Sequence, residues 1–128
     1  MMRTLRFWPL WAVVGLVALG VLLYLCLEPA GQGGLFLIPD KLSHALGFFG
    51  LTLWFAALVE RRLYVPVGLL MLAIGIGIEI AQDLMALGRS AEFADVYADL
   101  FGIVLGLSLS LASRDSWLQR IERWLPRS

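Results

Sequence analysis

The chain is poor in charge and has few polar interruptions in its long apolar stretches. Only 16% of its 128 residues are charged and 60% are hydrophobic, whereas a soluble domain carries about 25% charged residues. This composition excludes an ordinary soluble globular protein and indicates an integral membrane protein. Ten basic and ten acidic residues give zero net charge. Because no long basic stretch is present either, the sequence predicts no nucleic-acid partner.

Cysteine and catalytic motifs are also scarce. The single cysteine, Cys26, excludes an intramolecular disulfide and has no metal-ligand spacing around it. We expect it to pack as a small apolar residue in or near the first apolar stretch. No hydrolase motif of the G-x-S-x-G or H-E-x-x-H kind is present. The sequence therefore leaves open whether the protein is an enzyme.

Four apolar stretches make up most of the chain. They cover approximately residues 7–27, 42–59, 65–87 and 93–112. Their lengths are close to the roughly 20 residues that a membrane-spanning helix needs. In a tail at about 115–125, apolar residues recur at helical spacing with arginines between them, which is typical of a helix lying in the membrane interface. We predict an all-α membrane protein forming one domain over residues 1–128: a four-transmembrane-helix bundle with a C-terminal amphipathic interfacial helix.

The basic residues indicate the orientation of this bundle. Eight of the ten lie on one side of the predicted spans, and two lie on the other side. The eight are Arg3, Arg6, Arg61, Arg62, Arg114, Arg120, Arg123 and Arg127, and the two are Lys41 and Arg89. Because cytoplasmic loops carry the excess of basic residues, both termini are predicted to be cytoplasmic. We expect a multi-pass protein of the bacterial inner membrane.

Polar and ionisable residues enter the apolar stretches mainly at the predicted outer ends. A charged residue at the centre of a membrane helix costs roughly 2.5–3.5 kcal/mol on insertion scales, so their shared depth suggests a shared role. Residues four, seven and eleven apart share a helix face, which predicts that these polar ends converge in an outward-opening pocket. The candidate binding residues are Asp40, Lys41, His44, Glu79, Gln82, Arg89, Asp95 and Asp99.

Several of these residue types have chemistry suited to a site. His44 and Glu79 are candidate general bases, and Asp95 is a third catalytic candidate. Arg89 is suited to bidentate binding of a phosphate or a carboxylate. A divalent cation is a further alternative, with His44, Glu79, Asp95 and Asp99 as its ligands. We expect Gln82 to support Glu79 by hydrogen bonding.

Each candidate also has a purely structural interpretation. Asp40 and Asp95 lie where a carboxylate can cap a helix or complement the helix dipole. His44 can be a neutral histidine that is hydrogen-bonded to a neighbour. Glu79 lies in an otherwise apolar run, where an acidic residue by default indicates a functional site. Pairing it with Arg89 or Lys41 would nevertheless serve structure alone.

In their order and spacing, these motifs resemble the VanZ-like family of small bacterial membrane proteins. The matching elements are Asp40-Lys41-Leu42-Ser43-His44, Glu79-Ile80-Ala81-Gln82, Gly88-Arg89-Ser90, and Asp95 with Gly102 and Gly106 downstream. Asp99 departs from the family pattern, which commonly has Asn there. The namesake of the family is associated with resistance to the glycopeptide teicoplanin. The resemblance thus implies a role in the cell envelope but does not define a reaction.

Three functions are compatible with the sequence. The first is a pocket that binds or modulates a membrane-lipid headgroup or another envelope component, such as a lipid-linked precursor. The second is a membrane-embedded enzyme acting on a lipid-linked phosphate. The third is a polar latch that only holds helix ends together. A proton or ion path is disfavoured, because no comparable polar residues continue through the inner halves of the spans.

Overall fold

The protein is built from α-helices throughout the part that the structure, a computed structural model, describes. That part comprises residues 2–27, 40–85, 93–113 and 115–126, with the backbone alone at 40, 41 and 93. Its helices are α1 (Trp8–Cys26), α2 (Asp40–Leu58), α3 (Tyr64–Leu84), α4 (Phe93–Leu111) and α5 (Trp117–Trp124), with a 3₁₀ turn at Arg61–Leu63. The described residues include one isolated β-bridge, between Met2 and Val59.

Three helical segments are long and apolar enough to cross a membrane by length and composition: Trp8–Cys26, Arg61–Leu84 and Ala94–Leu111. The apolar part of α2, Leu42–Leu58, is shorter. The helix begins at Asp40 in the described part of the chain, two residues before the predicted stretch. An acidic residue is favourable in the first turn because the helix dipole is positive there.

Helix α2 lies at the centre of the bundle and contacts α1, α3, α4 and α5, with its most extensive contact along α4. The α2–α4 contact depends on glycine. A Cβ atom at Gly102 would overlap the backbone carbonyl oxygen of Ala45, and one at Gly106 would lie 2.9 Å from Cβ of Thr52. Small residues allow membrane helices to approach closely, and here they bring the polar faces of α2 and α4 together.

The core has two parts at different heights of the bundle. Phe48, Leu51, Met71, Ile78 and Ile103 form the larger cluster, together with Cys26. Cys26 is buried at the end of α1, as predicted for a small packing residue. The second cluster consists of Ala57 and Leu58 of α2 with Leu118 of α5, and tryptophans pack around it. Helix α5 is therefore anchored against the end of the bundle where α2 finishes.

Candidate functional site

Three ionisable side chains meet in the half of the bundle where α2 and α4 begin and α3 ends. His44 of α2, Glu79 of α3 and Asp99 of α4 are 3%, 6% and 0% exposed. One potential ligand atom from each residue lies within 4.8 Å of those from the other two. The predicted convergence is confirmed for these three residues, whereas their function as a site stays a prediction. We call this group the His44–Glu79–Asp99 cluster.

The closest contact in the cluster joins His44 to Asp99. The His44 Nδ1 and Asp99 Oδ1 atoms are 3.0 Å apart, and both side chains are buried. An ionised carboxylate can only accept a hydrogen bond, so with Asp99 ionised the Nδ1 atom carries the hydrogen and donates. If the imidazole is neutral, this arrangement gives Nε2 the lone pair, which is the form needed by a general base.

A glycine on α3 makes room for this pair. A Cβ atom at Gly75 would lie 2.6 Å from Asp99 Oδ2, which is closer than real side chains approach. Gly75 is one turn before Glu79, so the same face of α3 provides both a carboxylate and the space for a second one. The Asp99 carboxylate thus lies between α2 and α3, in a space that a side chain at position 75 would partly occupy.

The electrostatics of the cluster favour a cation or protons. Two carboxylates near 4 Å apart repel each other by about 4 kcal/mol at an effective dielectric constant of 20. Buried carboxylates that share a site therefore retain a proton or gain a positive partner. A protonated His44 can supply one positive charge, and a bound cation can supply more. Among these three side chains, acid groups outnumber basic ones, so this donor set suits a positively charged ligand better than a bare phosphate.

Two other predicted residues are buried nearby but make different contacts. Asp95 is on the same face of α4 one turn before Asp99 and is 5% exposed, although it is not a member of the three-residue group. Gln82 donates from Nε2 to the carbonyl oxygen of Cys26, at 2.6 Å. Our expectation that Gln82 supports Glu79 was wrong: its amide satisfies a carbonyl at the end of α1, where the helix leaves its last carbonyl groups without internal partners.

The remaining candidates cannot be placed as side chains. Asp40 and Lys41 lie in the first turn of α2, four and three residues before His44, but only their backbone is described. Arg89 lies outside the described residues. Their predicted contribution to the pocket stays a prediction.

A second polar network, which the sequence pattern does not predict, joins the start of α1 to α5. The Glu122 carboxylate of α5 accepts hydrogen bonds from the backbone of Arg6 (2.6 Å) and of Phe7 (2.8 Å), and from Trp11 Nε1 (2.7 Å). It therefore satisfies amide groups at the start of α1, where helices have unpaired N–H groups. The detectable sequence signal is Ser116, which forms a capping box with Gln119 and fixes the start of α5.

Arg3 extends this network into the bundle. Its guanidinium donates to Tyr64 Oη at 2.6 Å and to Gln119 Oε1 at 3.3 Å. Its backbone N–H donates to the Leu58 carbonyl oxygen at 3.0 Å. The chain termini, the end of α2 and the start of α3 are thus tied together at the end opposite the His44–Glu79–Asp99 cluster.

No protein-family model, curated protein or solved structure matches the chain. The VanZ-like resemblance consequently rests on the motifs alone.

Proposed function

We propose that the protein is a four-span protein of the bacterial inner membrane whose polar pocket binds the headgroup of a membrane lipid or of a lipid-linked envelope component. The observation that carries this proposal is the convergence of His44, Glu79 and Asp99, each buried and each from a different helix. Ionisable residues are rare within membrane helices and commonly mark functional sites there.

The positions of the helix ends support four crossings, with α2 as one of them. His44 near the start of α2 meets Asp99 near the start of α4, while Leu58 at the end of α2 accepts a hydrogen bond from Trp8 at the start of α1. Helix α2 therefore extends from the end of the bundle that holds the cluster to the end where α1 begins. Its 19 residues span about 28 Å at 1.5 Å per residue, close to the roughly 30 Å of a hydrocarbon core.

The excess of basic residues at the opposite end supports an outward-facing pocket with both termini in the cytoplasm. Reporter fusions after Arg62 and Arg127 are expected to report a cytoplasmic location, and a fusion after Gly33 an external one. An external signal at the C-terminus would overturn the orientation and would place the pocket on the cytoplasmic side. In the same orientation, we propose that α5 lies in the inner interface, since Trp124 and Arg123 are exposed on it.

The resemblance to the VanZ-like family supports an envelope role and makes teicoplanin susceptibility a suitable phenotype. We propose that occupancy of the pocket modulates the envelope, and that the ligand is a polar lipid headgroup because the cluster lies within two helical turns of the helix ends. Between the cluster and the second network, Thr52 is the one buried polar side chain among the described residues, which supports a pocket over a transmembrane path.

Lipid retention provides a direct test. The full chain is extracted in mild detergent, and the retained lipids are identified by mass spectrometry and compared with those of the source membrane. We expect the wild type to be enriched in one headgroup class and the double variant Glu79→Gln/Asp99→Asn to lose that enrichment. The matched control is Asp83→Asn, an exposed acid on α3 one turn from Glu79. Equal lipid profiles for all three proteins would reject the proposal.

The His44–Asp99 hydrogen bond favours a second candidate, an enzyme acting on a lipid-linked phosphate. A carboxylate that orients a histidine is a recurrent way to prepare a general base. The two candidates differ in turnover: an enzyme releases phosphate repeatedly from a lipid-linked substrate, whereas a binding protein retains one lipid per site without releasing phosphate.

A further inference from the structure

The His44–Glu79–Asp99 cluster combines one nitrogen donor with two carboxylates from three different helices. Their potential ligand atoms all lie within 4.8 Å of one another, so a point between them lies at most about 2.8 Å from each. Metal–ligand distances of about 2.0–2.2 Å for nitrogen and carboxylate donors require only a small contraction from this arrangement. Because His44 Nδ1 faces Asp99 Oδ1, the ion would take the place of the hydrogen between them, and the geometry is close to that of a three-ligand metal site.

We propose that this cluster binds a divalent transition-metal ion such as Zn²⁺ or Mn²⁺, and that the ion is the group to which a phosphate-bearing headgroup binds. The second part rests on the proposed function, whereas metal binding itself does not. A direct contact between two buried carboxylates and a phosphate would place like charges together. A divalent ion reverses the sign of the local field, so that the same side chains can recognise an anionic group.

The donor set indicates which metal to expect. Mg²⁺ and Ca²⁺ prefer oxygen ligands only, while imidazole suits Zn²⁺ and other first-row transition metals. Three protein ligands leave at least one coordination position for water or a ligand, as in catalytic zinc sites and unlike closed structural sites. An exchangeable position of this kind is what a headgroup phosphate needs in order to bind to the metal.

The chain provides an unusually specific probe, because His44 is its one histidine. Protein labelled with ¹⁵N-histidine and purified without a polyhistidine tag gives imidazole signals from His44 alone. On addition of Zn²⁺ in detergent, we expect one of these nitrogen signals to shift and to reach saturation at one equivalent. Millimolar Mg²⁺ should not reverse the shift. Unchanged imidazole signals at excess Zn²⁺ would overturn the proposal without any variant.

Variants then identify the carboxylate ligands. Glu79→Gln and Asp99→Asn should each weaken Zn²⁺ binding at least tenfold, since loss of even an outer-shell partner weakens metal sites by about 10–100-fold. Asp83→Asn, on the exposed face of α3, should bind Zn²⁺ as the wild type does. If Zn²⁺ binding is the same in all three variants, the ion binds elsewhere and the proposed site is wrong.

Lipid retention with and without a chelator separates this inference from the proposed function. We expect the enriched lipid to be lost on chelation and recovered with Zn²⁺. Retention that persists with chelator, in a chain that shows no His44 shift, would reject the metal and leave the headgroup pocket standing. A His44 shift that depends on Glu79 and Asp99, without any enriched lipid, would support the metal site and reject the headgroup function.

Discussion

His44 and Asp99, which are 55 positions apart in the sequence, form a hydrogen bond of 3.0 Å between their buried Nδ1 and Oδ1 atoms. The bond joins α2 to α4 at the height where Glu79 of α3 also points inward. Charge-assisted hydrogen bonds of this type are stronger than neutral ones. In an apolar environment, removing one partner is costly because the other is left buried without a hydrogen bond. The pair can therefore stabilise the bundle and define a site at the same time.

Gly75→Ala is expected to impair the pocket because the new Cβ atom would lie 2.6 Å from Asp99 Oδ2. Displacing a packed side chain costs roughly 1–3 kcal/mol, and the carboxylate should move away from His44. The matched control is Gly77→Ala on the same helix, where a Cβ atom would meet nothing within 4 Å. We expect lipid retention to fall in Gly75→Ala and to be unchanged in Gly77→Ala. Equal retention in the two variants would show that the position of Asp99 is unimportant.

Gly102→Ala should destabilise the protein far more than an alanine at a glycine without close neighbours. At Gly102 the obstacle is the Ala45 backbone carbonyl, which cannot move aside as a flexible side chain can. We expect a strongly lowered melting temperature in detergent or loss of extractable protein. Gly50→Ala in α2, where a Cβ atom has no neighbour within 4 Å, is the control and should melt at or above the wild-type temperature, because alanine favours helix over glycine.

The Glu122 carboxylate should make the stability of the protein depend on pH in the acidic range. Burial raises its pKa, but hydrogen bonds from the Phe7 backbone, the Trp11 indole and the Arg6 backbone outweigh this, so the net pKa lies below the usual 4.5. A lowered pKa in the folded state stabilises the protein above the unfolded-state pKa, and this contribution is lost as pH falls through the folded-state value. We expect Glu122→Gln to have a lower melting temperature than the wild type at pH 7. The difference between the two melting temperatures should become smaller as the pH is lowered towards 3.

Asp115→Asn is the matched control for Glu122→Gln. The Asp115 carboxylate accepts a hydrogen bond from Arg123 at 2.7 Å, in a pair that is largely exposed. Exposed ion pairs contribute little to stability, so this variant should melt close to the wild type at pH 7. If the two variants were destabilised equally, the hydrogen bonds of Glu122 to the start of α1 would not explain its effect.

The helices and the convergence of three polar side chains could be predicted from the sequence. Long apolar runs determine where membrane helices lie, and the spacing of Glu79 from Gly75, and of Asp99 from Gly102, put each acid on the small-residue face of its helix. Since close packing of such faces is favourable, His44, Glu79 and Asp99 could be expected to converge.

Contacts that depend on the relative height of helices could not be predicted in this way. Gln82 shares a face with Glu79, but its partner is the Cys26 carbonyl because α1 ends beside it. Gly47 shares a face with His44, yet it packs against Leu22 of α1. Helical periodicity gives the face of a residue but does not give the neighbouring helix, which changes along the length of α2.

The most direct test of the central claim is the Glu79→Gln variant, measured for teicoplanin susceptibility and for thermal stability in detergent. The substitution keeps volume and most hydrogen-bonding capacity while removing the charge. If the cluster is a binding site, we expect the proposed effect of the protein on teicoplanin susceptibility to be lost while the melting temperature stays close to that of Asp83→Asn. If it is only a latch, removing one charge from the buried cluster should cost roughly 3–5 kcal/mol, as for a broken buried ion pair. A large loss of stability, or an unchanged phenotype in a stable protein, would contradict the account.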